Sequence, residues 1–436
     1  MSESQSWKLP KEIYLGDITV RDGLQALEHF FSTDEKVRLA EDLILAGMKH
    51  VEVTNFGHPK FLPQFKDADE LLIRLFNSER VGSMLKQNGG HVTVCTITIN
   101  ERALDRAIDF KAKHGFGPDY VLQMVSTDEA HHKVNSGADL ETYWKMTERC
   151  TKKANEAGIK MCGTVSTIWG SPIHGSRATD LKRAVEFSKR YLELGADYIE
   201  QADHDGSADP ARVYEYFSMI LDPEIMGKWA DPKYHLAHFH TSRGLGLANY
   251  LAALQAGIVR FETTMNGTGG QPSNTMDGSI SGGTGAYYHE DHLYAGLVST
   301  EDFVMMCEAM GVKTGIDIKK LLEIGLRFKN DYLKITPDEM TTLLNNASET
   351  TGLSVEELKK LETDEGDLES ILEKVVENRR TPEDDDKTVR RIKQQMHGFL
   401  HNMRMYLQMK YWAPPRSESI ISGILPSPHL AHLLDD

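Results

Sequence analysis

Short apolar and β-branched runs recur along most of the chain, each followed by a stretch with helical spacing. Eight such units can be read. Strands are expected at Ile13–Ile18, His50–Thr54, Val92–Ile97, Tyr120–Val125, Lys160–Val165, Tyr198–Ala202, His235–Phe239 and Arg260–Thr264. The first leads to a helix over Thr33–Ala46, opened by the capping-box pattern Ser32-Thr-Asp-Glu35 and stopped at Gly47. Asn100 caps a helix ending at Gly115, and Asp209-Pro210 supplies an N-cap and first-turn pair. A helix after the seventh strand ends at Gly257, and the eighth strand leads to one near Thr300–Met310. Few of the strands alternate cleanly between apolar and polar, which suits a sheet covered on both faces. Strands alternating with helices define an α/β fold with a parallel sheet, and eight of them suit closure into a (β/α)8 TIM barrel. An open doubly wound sheet is the alternative that the pattern permits. No internal repeat is evident.

Beyond Lys329 the texture changes. Thr336-Pro-Asp-Glu339, Thr350–Leu361 and Leu368–Glu377 read as helices with charged faces, and Arg379–Lys387 as a charge-dense linker. Val389–Tyr411 reads as a helix whose Met and aromatic residues form a packing surface, open to a partner helix, and Pro414-Pro415 ends it. The expected division is a catalytic barrel over residues 8–328 and a helical C-terminal extension over 329–436.

Charge narrows the function classes. The 436 residues carry 49 Lys plus Arg against 65 Asp plus Glu, a net charge of −16. Phosphate binding needs clustered cations, so neither a nucleic-acid partner nor an anionic membrane surface is expected. No apolar run approaches the ~20 residues of a membrane span. The first residues lack the basic and apolar regions of a secretory signal. Cys95, Cys150, Cys162 and Cys307 fit no metal-knuckle or disulfide spacing, so a cytoplasmic location is expected.

In a parallel barrel, functional groups collect at the carboxyl ends of the strands. Those ends carry Asp17, Arg21, Asp22 and Gln25 on the first unit, and Glu52, Asn55 and His58 on the second. Ser166 and Thr167 follow the fifth strand; Glu200, Gln201, Asp203, His204 and Asp205 belong to the sixth. The seventh ends in His238-Phe-His240. In a strand, positions i and i+2 share a face, so both imidazoles can reach one ion. An Asp from another strand end would complete a donor set suited to Mg²⁺, Mn²⁺ or Zn²⁺. Arg21 beside Asp22 can hold an oxyanion, although Arg-Asp neighbours are also common as rim ion pairs. Glu52, within an apolar strand, needs a partner and has a shifted pKa. His58, His131, His132, His204, His289 and His292 read mostly as exposed loop residues. The glycine-rich stretch Gly267–Gly285 lies in a long loop, Asn266–Leu297, which reads either as a lid or binding loop or as a disordered surface loop. Its Gly-Thr-Gly-Gly is no nucleotide-binding motif.

Together these residues resemble the 3-hydroxy-3-methylglutaryl-CoA (HMG-CoA) lyase group. That group belongs to a metal-dependent barrel superfamily with isopropylmalate and homocitrate synthases and pyruvate carboxyltransferases. The resemblance rests on Val20-Arg-Asp-Gly-Leu-Gln25, Val51-Glu-Val-Thr-Asn-Phe56 with Pro59-Lys60 and Pro63-Gln64, Ser166-Thr-Ile-Trp-Gly170 with Pro172, His238-Phe-His240 with Gly244 and Leu247-Ala-Asn249, Phe261–Gly270, and Ser299-Thr-Glu-Asp302. It implies a (β/α)8 barrel with a divalent cation held by Asp22, His238 and His240. It assigns Arg21 to an enolate oxygen, Glu52 to the acid/base network, and Gln25 and Asp203 to its vicinity. Asn55, Ser166, Thr167, Gly269, Gly270 and Gln271 would line the substrate. The implied reaction is carbon–carbon cleavage of a 3-hydroxy acyl-CoA or related branched hydroxy acid, with an acyl-CoA as the small-molecule partner and a homo-oligomeric assembly. The alternatives are a condensing enzyme joining acyl-CoA to a 2-oxo acid, or a non-catalytic binding relative.

Three positions depart from the family patterns. The catalytic Cys after Gly-Gly is Gln271, the Asn that acts as fourth ligand is Leu297, and Ala202 stands where the carboxyltransferases carry a modified Lys before Asp203. The last disfavours biotin-dependent carboxyl transfer.

Overall fold

A computed structural model describes residues 8–410 except 26–29, 61, 87–91, 172–173, 205, 242–243, 270–295 and 364–366. Eight parallel strands close into a barrel: β1 (Tyr14–Asp17), β2 (His50–Asn55), β3 (Thr93–Ile97), β4 (Tyr120–Ser126), β5 (Lys160–Ser166), β6 (Tyr198–Asp203), β7 (His235–Phe239) and β8 (Arg260–Thr263). Consecutive strands are neighbours, and β1 pairs with β8 from Tyr14↔Arg260 to Asp17↔Thr263, which leaves no sheet edge. The open doubly wound alternative is thereby set aside.

The helices begin where the local signals place them. Ser32 and Glu35 form a reciprocal capping box on the helix Thr33–Leu45. Asn100 accepts from Ala103 N–H at the start of Glu101–His114, and Gly115 ends that helix at φ 73°. Asp209 accepts from Arg212 N–H to start Pro210–Ile220. Along the strands, alternate side chains point inward. Cys95, Ile97, Leu122, Cys162, Tyr198 and Leu236 form a small apolar cluster, separate from the larger one between strands and helices. The alternation places it inside the barrel, where Glu52 is in register with Cys95, and Glu200 and His238 follow Tyr198 and Leu236 two residues further along β6 and β7. All four cysteines are buried and unpaired.

Beyond the helix Ile318–Phe328 the chain forms helices Pro337–Thr351, Val355–Lys359, Leu368–Arg379 and Asp386–Met409. The single helix expected over Thr350–Leu361 is interrupted. Gly352 ends one helix in the left-handed conformation (φ 70°), and Ser354 with Glu357 caps the next. The stripe Met396, Leu400, Met403, Tyr406 and Leu407 is buried in the apolar cluster that also holds the barrel's outer layer. It therefore packs within its own chain, which corrects its reading as a surface left for a partner helix. The chain from Pro414-Pro415 onward lies outside the described residues. Among the described residues, no helix is long and apolar enough to cross a membrane.

Candidate active site

Arg21 and Asp22 sit on one wide turn directly after β1. Gly23 N–H donates to Ile18 O at 3.3 Å and Leu24 N–H to Thr19 O, a π-type pattern that often marks functional sites. The turn is docked on the far side of the barrel seam: Met265 N–H donates to Thr19 Oγ1 at 2.7 Å. Glycine is needed at position 23, where a Cβ would stand 2.7 Å from Thr268 Oγ1. Gly269 adopts φ 141°, and a Cβ there would clash with Leu297 Cδ1 and lie 3.6 Å from Asp22 Oδ1.

This docking brings Asp22 to the end of β7. The ligand atoms of Asp22, His238 and His240 all lie within 4.8 Å of one another, and all three residues are buried. His238 Nε2 is 3.4 Å from His240 Nε2 and 4.0 Å from Asp22 Oδ2. Asp22 Oδ1 is buried with no hydrogen-bond partner among the described residues. Two imidazoles and a carboxylate with an unmet acceptor are a donor set that fits a divalent cation. Arg21 ion-pairs with Asp22 Oδ2 through Nη1 at 2.8 Å and donates through Nε to Glu52 Oε1.

Below this triad lies a second buried group. Glu200, His238 and Glu262 also converge within 4.8 Å. Burial and the neighbouring Glu262 push Glu200 up to about 8. Burial would raise Glu262 too, but hydrogen bonds from His238 and His50 bring it down to about 2. Burial would lower His238, yet Glu200, Glu262 and Asp22 outweigh it and raise it to about 9. Burial raises Glu52 against the pull of Arg21. The group is therefore coupled: burial holds a proton on Glu200, the carboxylates hold one on His238, and Glu262 keeps its charge beside the two rings.

Other expected residues take more varied places. Asp203 carries backbone contacts: its carboxylate accepts from Ser207 N–H at 2.9 Å and Ala208 N–H at 3.1 Å. Its carbonyl accepts from His240 N–H at 3.1 Å. Asn55 Oδ1 accepts from Gly57 N–H at 2.7 Å, and Gln25 is half-buried just past the wide turn. Ser166 Oγ is buried without a hydrogen-bond partner among the described residues. Thr167, at φ 60°, has its hydroxyl 3.0 Å from Thr127 Oγ1 and accepts from Asp128 N–H at 3.1 Å, fastening two strand-end loops. Leu297 pairs through its backbone with His240 and is buried. An apolar side chain therefore stands at the rim where the resemblance calls for Asn. Gly270, Gln271, Asp205, His289 and His292 lie outside the described residues.

Sequence reasoning misplaced several histidines. His131, His132 and His204 are buried rather than exposed, whereas His58 is exposed. Ser126 Oγ lies 2.7 Å from His131 Nδ1, the His131 ring packs edge-on at 4.5 Å from His204, and His204 lies 6.3 Å from His240. Burial lowers His131 to about 4. Glu262 and His50 were missed altogether. Their signal was an ionisable residue at an inward position of a strand, the signal that singled out Glu52.

The fold and site define a class: a closed (β/α)8 barrel with a His/carboxylate cluster and a buried Arg at the carboxyl ends of its strands. The HMGL-like family model matches residues 12–326, and the chain belongs to that family as an HMG-CoA lyase-like member. The hydroxymethylglutaryl-CoA lyase YngG of Bacillus subtilis is 27% identical over 313 residues, covering 72% of this chain and 91% of that protein. The human mitochondrial hydroxymethylglutaryl-CoA lyase is 27% identical over 325 residues, covering 74% and 87%. Among solved structures, the Bacillus subtilis HMG-CoA lyase superposes with a TM-score of 0.58 at 25% identity, covering 72% of this chain and 92% of that one. An HMG-CoA lyase from Acenitobacter baumannii in complex with coenzyme A and 3-methylmalate shares the fold, with a TM-score of 0.59, 24% identity and coverage of 72% and 89%.

Proposed function

We propose that the protein is a divalent-metal-dependent carbon–carbon lyase that cleaves a 3-hydroxy acyl-CoA or a related branched hydroxy acid. The observation that carries this reading is the convergence of Asp22, His238 and His240 beside a buried Arg21 in a chain of the HMGL-like family. Kinship with HMG-CoA lyases, one of them solved with coenzyme A, supports an acyl-CoA substrate.

A divalent cation, Mg²⁺ or Mn²⁺ by its mixed nitrogen and oxygen donors, would be held by the triad and supply Lewis-acid stabilisation to substrate oxygen. The remaining steps belong to the chain. Glu52 and Asp22 hold the Arg21 guanidinium in one orientation, so its N–H groups are aimed before substrate arrives. Arg21 stabilises the enolate oxygen left when the carbon–carbon bond breaks. Asp203 and Glu52 take part in moving the hydroxyl proton, with Gln25 beside them. Asn55, Ser166, Thr167, Gly269, Gly270 and Gln271 contribute to holding the substrate. With Gln271 in place of the family Cys, the enolate is protonated by another donor.

The test is incubation of the full chain with Mg²⁺ or Mn²⁺ and a panel of 3-hydroxy acyl-CoA esters, 3-hydroxy-3-methylglutaryl-CoA included, with products identified by mass spectrometry. A shortened acyl-CoA and an oxo product are expected from at least one ester. Release of free CoA from acyl-CoA plus a 2-oxo acid, with no cleavage of any ester, would overturn the lyase direction in favour of condensation.

A further inference from the structure

His238 is gripped from two sides. Its Nε2 faces His240 and Asp22, whereas its Nδ1 lies 3.3 Å from Glu262 Oε2 and 3.7 Å from Glu200 Oε1. A neutral imidazole that offers Nε2 as a ligand carries its proton on Nδ1, and that proton needs an acceptor. Glu262 is the nearer carboxylate. Its other oxygen, Oε1, lies 3.4 Å from His50 Nε2, and His50 Nδ1 lies 2.8 Å from Thr93 Oγ1. Glu262 therefore lies between two rings, one oxygen facing each at 3.3 and 3.4 Å.

The span depends on a gap. His50 opens β2 and Glu262 belongs to β8, with β1 between those strands in the barrel. Gly16 of β1 is in register with both residues. A Cβ at position 16 would stand 3.0 Å from His50 Cδ2 and 3.4 Å from Glu262 Cγ. A side chain at position 16 would press on the His50 ring and crowd the space in which the two groups meet.

We propose that Glu262, clamped by His50 through the gap at Gly16, is a positioning residue that fixes His238 with Nδ1 protonated and Nε2 turned towards Asp22 and His240. The inference rests on reading those three residues as the cation site. The competing arrangement places the cation at Glu200, His238 and Glu262, with Nδ1 as the ligand.

Co²⁺ titration of the chelated full-length protein, followed by visible absorption, separates these outcomes. One ion is expected to bind the unaltered chain. Glu262→Gln can accept from only one of the two rings, and is expected to weaken Co²⁺ binding about 10–100-fold and shift the visible bands. Gly16→Ala removes no polar group and is expected to weaken binding about threefold or more by displacing His50, which keeps the inference testable if Glu262→Gln fails to fold. In ¹⁵N-histidine-labelled protein loaded with Zn²⁺, His238 is expected to keep its proton on Nδ1, and Glu262→Gln to disturb that signal. If the unaltered chain binds no ion, both the cation site and this inference fall. If it binds but Glu262→Gln and Gly16→Ala bind within about twofold of it, the inference falls and the site stands. Loss of binding in Glu200→Gln, with Asp22→Asn unaffected, would establish the competing site and overturn the inference.

Discussion

At the scale of single residues, the site is a contest between burial and pairing. Arg21 is buried with two carboxylates, so its charge is fixed in place rather than solvated. Replacing it with Lys keeps the charge but loses the planar fork. Arg21→Lys is expected to lower kcat about 100-fold or more, the range for losing an oriented oxyanion donor. Steady-state kinetics beside a thermal melt would check this; a kcat within a few-fold would remove Arg21 from the chemistry. Asp17 behaves oppositely. It accepts from Thr19 N–H and Thr300 Oγ1, each at 2.8 Å, yet burial still raises it to about 6. Burial likewise raises Glu301 to about 7. A folded-state pKa above the unfolded value favours the protonated folded form, so the contribution of these two groups to stability is fullest below about pH 4 and is lost as pH rises through about 6 for Asp17 and about 7 for Glu301. Asp17→Asn should remove the lower part of that loss, on the order of 3 kcal/mol, so its stability advantage over the unaltered chain should grow from pH 4 to 7 in urea titrations. A constant difference across that range would show that Asp17 ionises freely in the fold.

At the scale of elements, much was readable. The eight strands lie where apolar runs end at turn residues, and capping boxes at Ser32 and Thr336 mark helix starts. His238 and His240 were legible because a strand's two-residue period is local, and Arg21, Asp22 and Glu52 through motif order. The Glu262–His50–Gly16 arrangement was not, because it exists only once β1 and β8 close the barrel and set the register. Gly352 splits a helix that charge patterning alone ran together. The wide turn after β1 is the element on which the site depends most. Gly23→Ala sets a methyl against Thr268 and pushes the turn off its seat. It is expected to weaken metal binding about tenfold while costing roughly 1–3 kcal/mol of stability. Calorimetric titration with Mn²⁺ and a melt would check both, and an unchanged Mn²⁺ affinity would show that the turn does not set the position of Asp22.

At the scale of the molecule, the division at 328/329 separates chemistry from support in our reading. The Tyr332 ring packs tilted against Phe31 at 5.9 Å between ring centroids, and Ile335 N–H donates to Lys410 O at 2.9 Å. The apolar residues of the extension continue the barrel's outer core. Truncation before Thr336 is therefore expected to leave Phe328, Tyr332 and Leu333 uncovered and to yield an aggregating chain with a lowered melting temperature; a monodisperse, fully stable barrel would make the extension an independent unit. The net charge of −16 is compatible with an anionic ester, because the substrate would meet Arg21 and a cation locally. The central claim, a metal-dependent cleavage at Asp22, His238 and His240, is tested most directly by one measurement: turnover of the best ester from the panel by chelated enzyme, before and after Mn²⁺ is restored, in the unaltered chain and in Asp22→Asn. Turnover should vanish on chelation, return with Mn²⁺ in the unaltered chain, and fail to return in the variant. Equal turnover with and without metal, or full activity in Asp22→Asn, would contradict it.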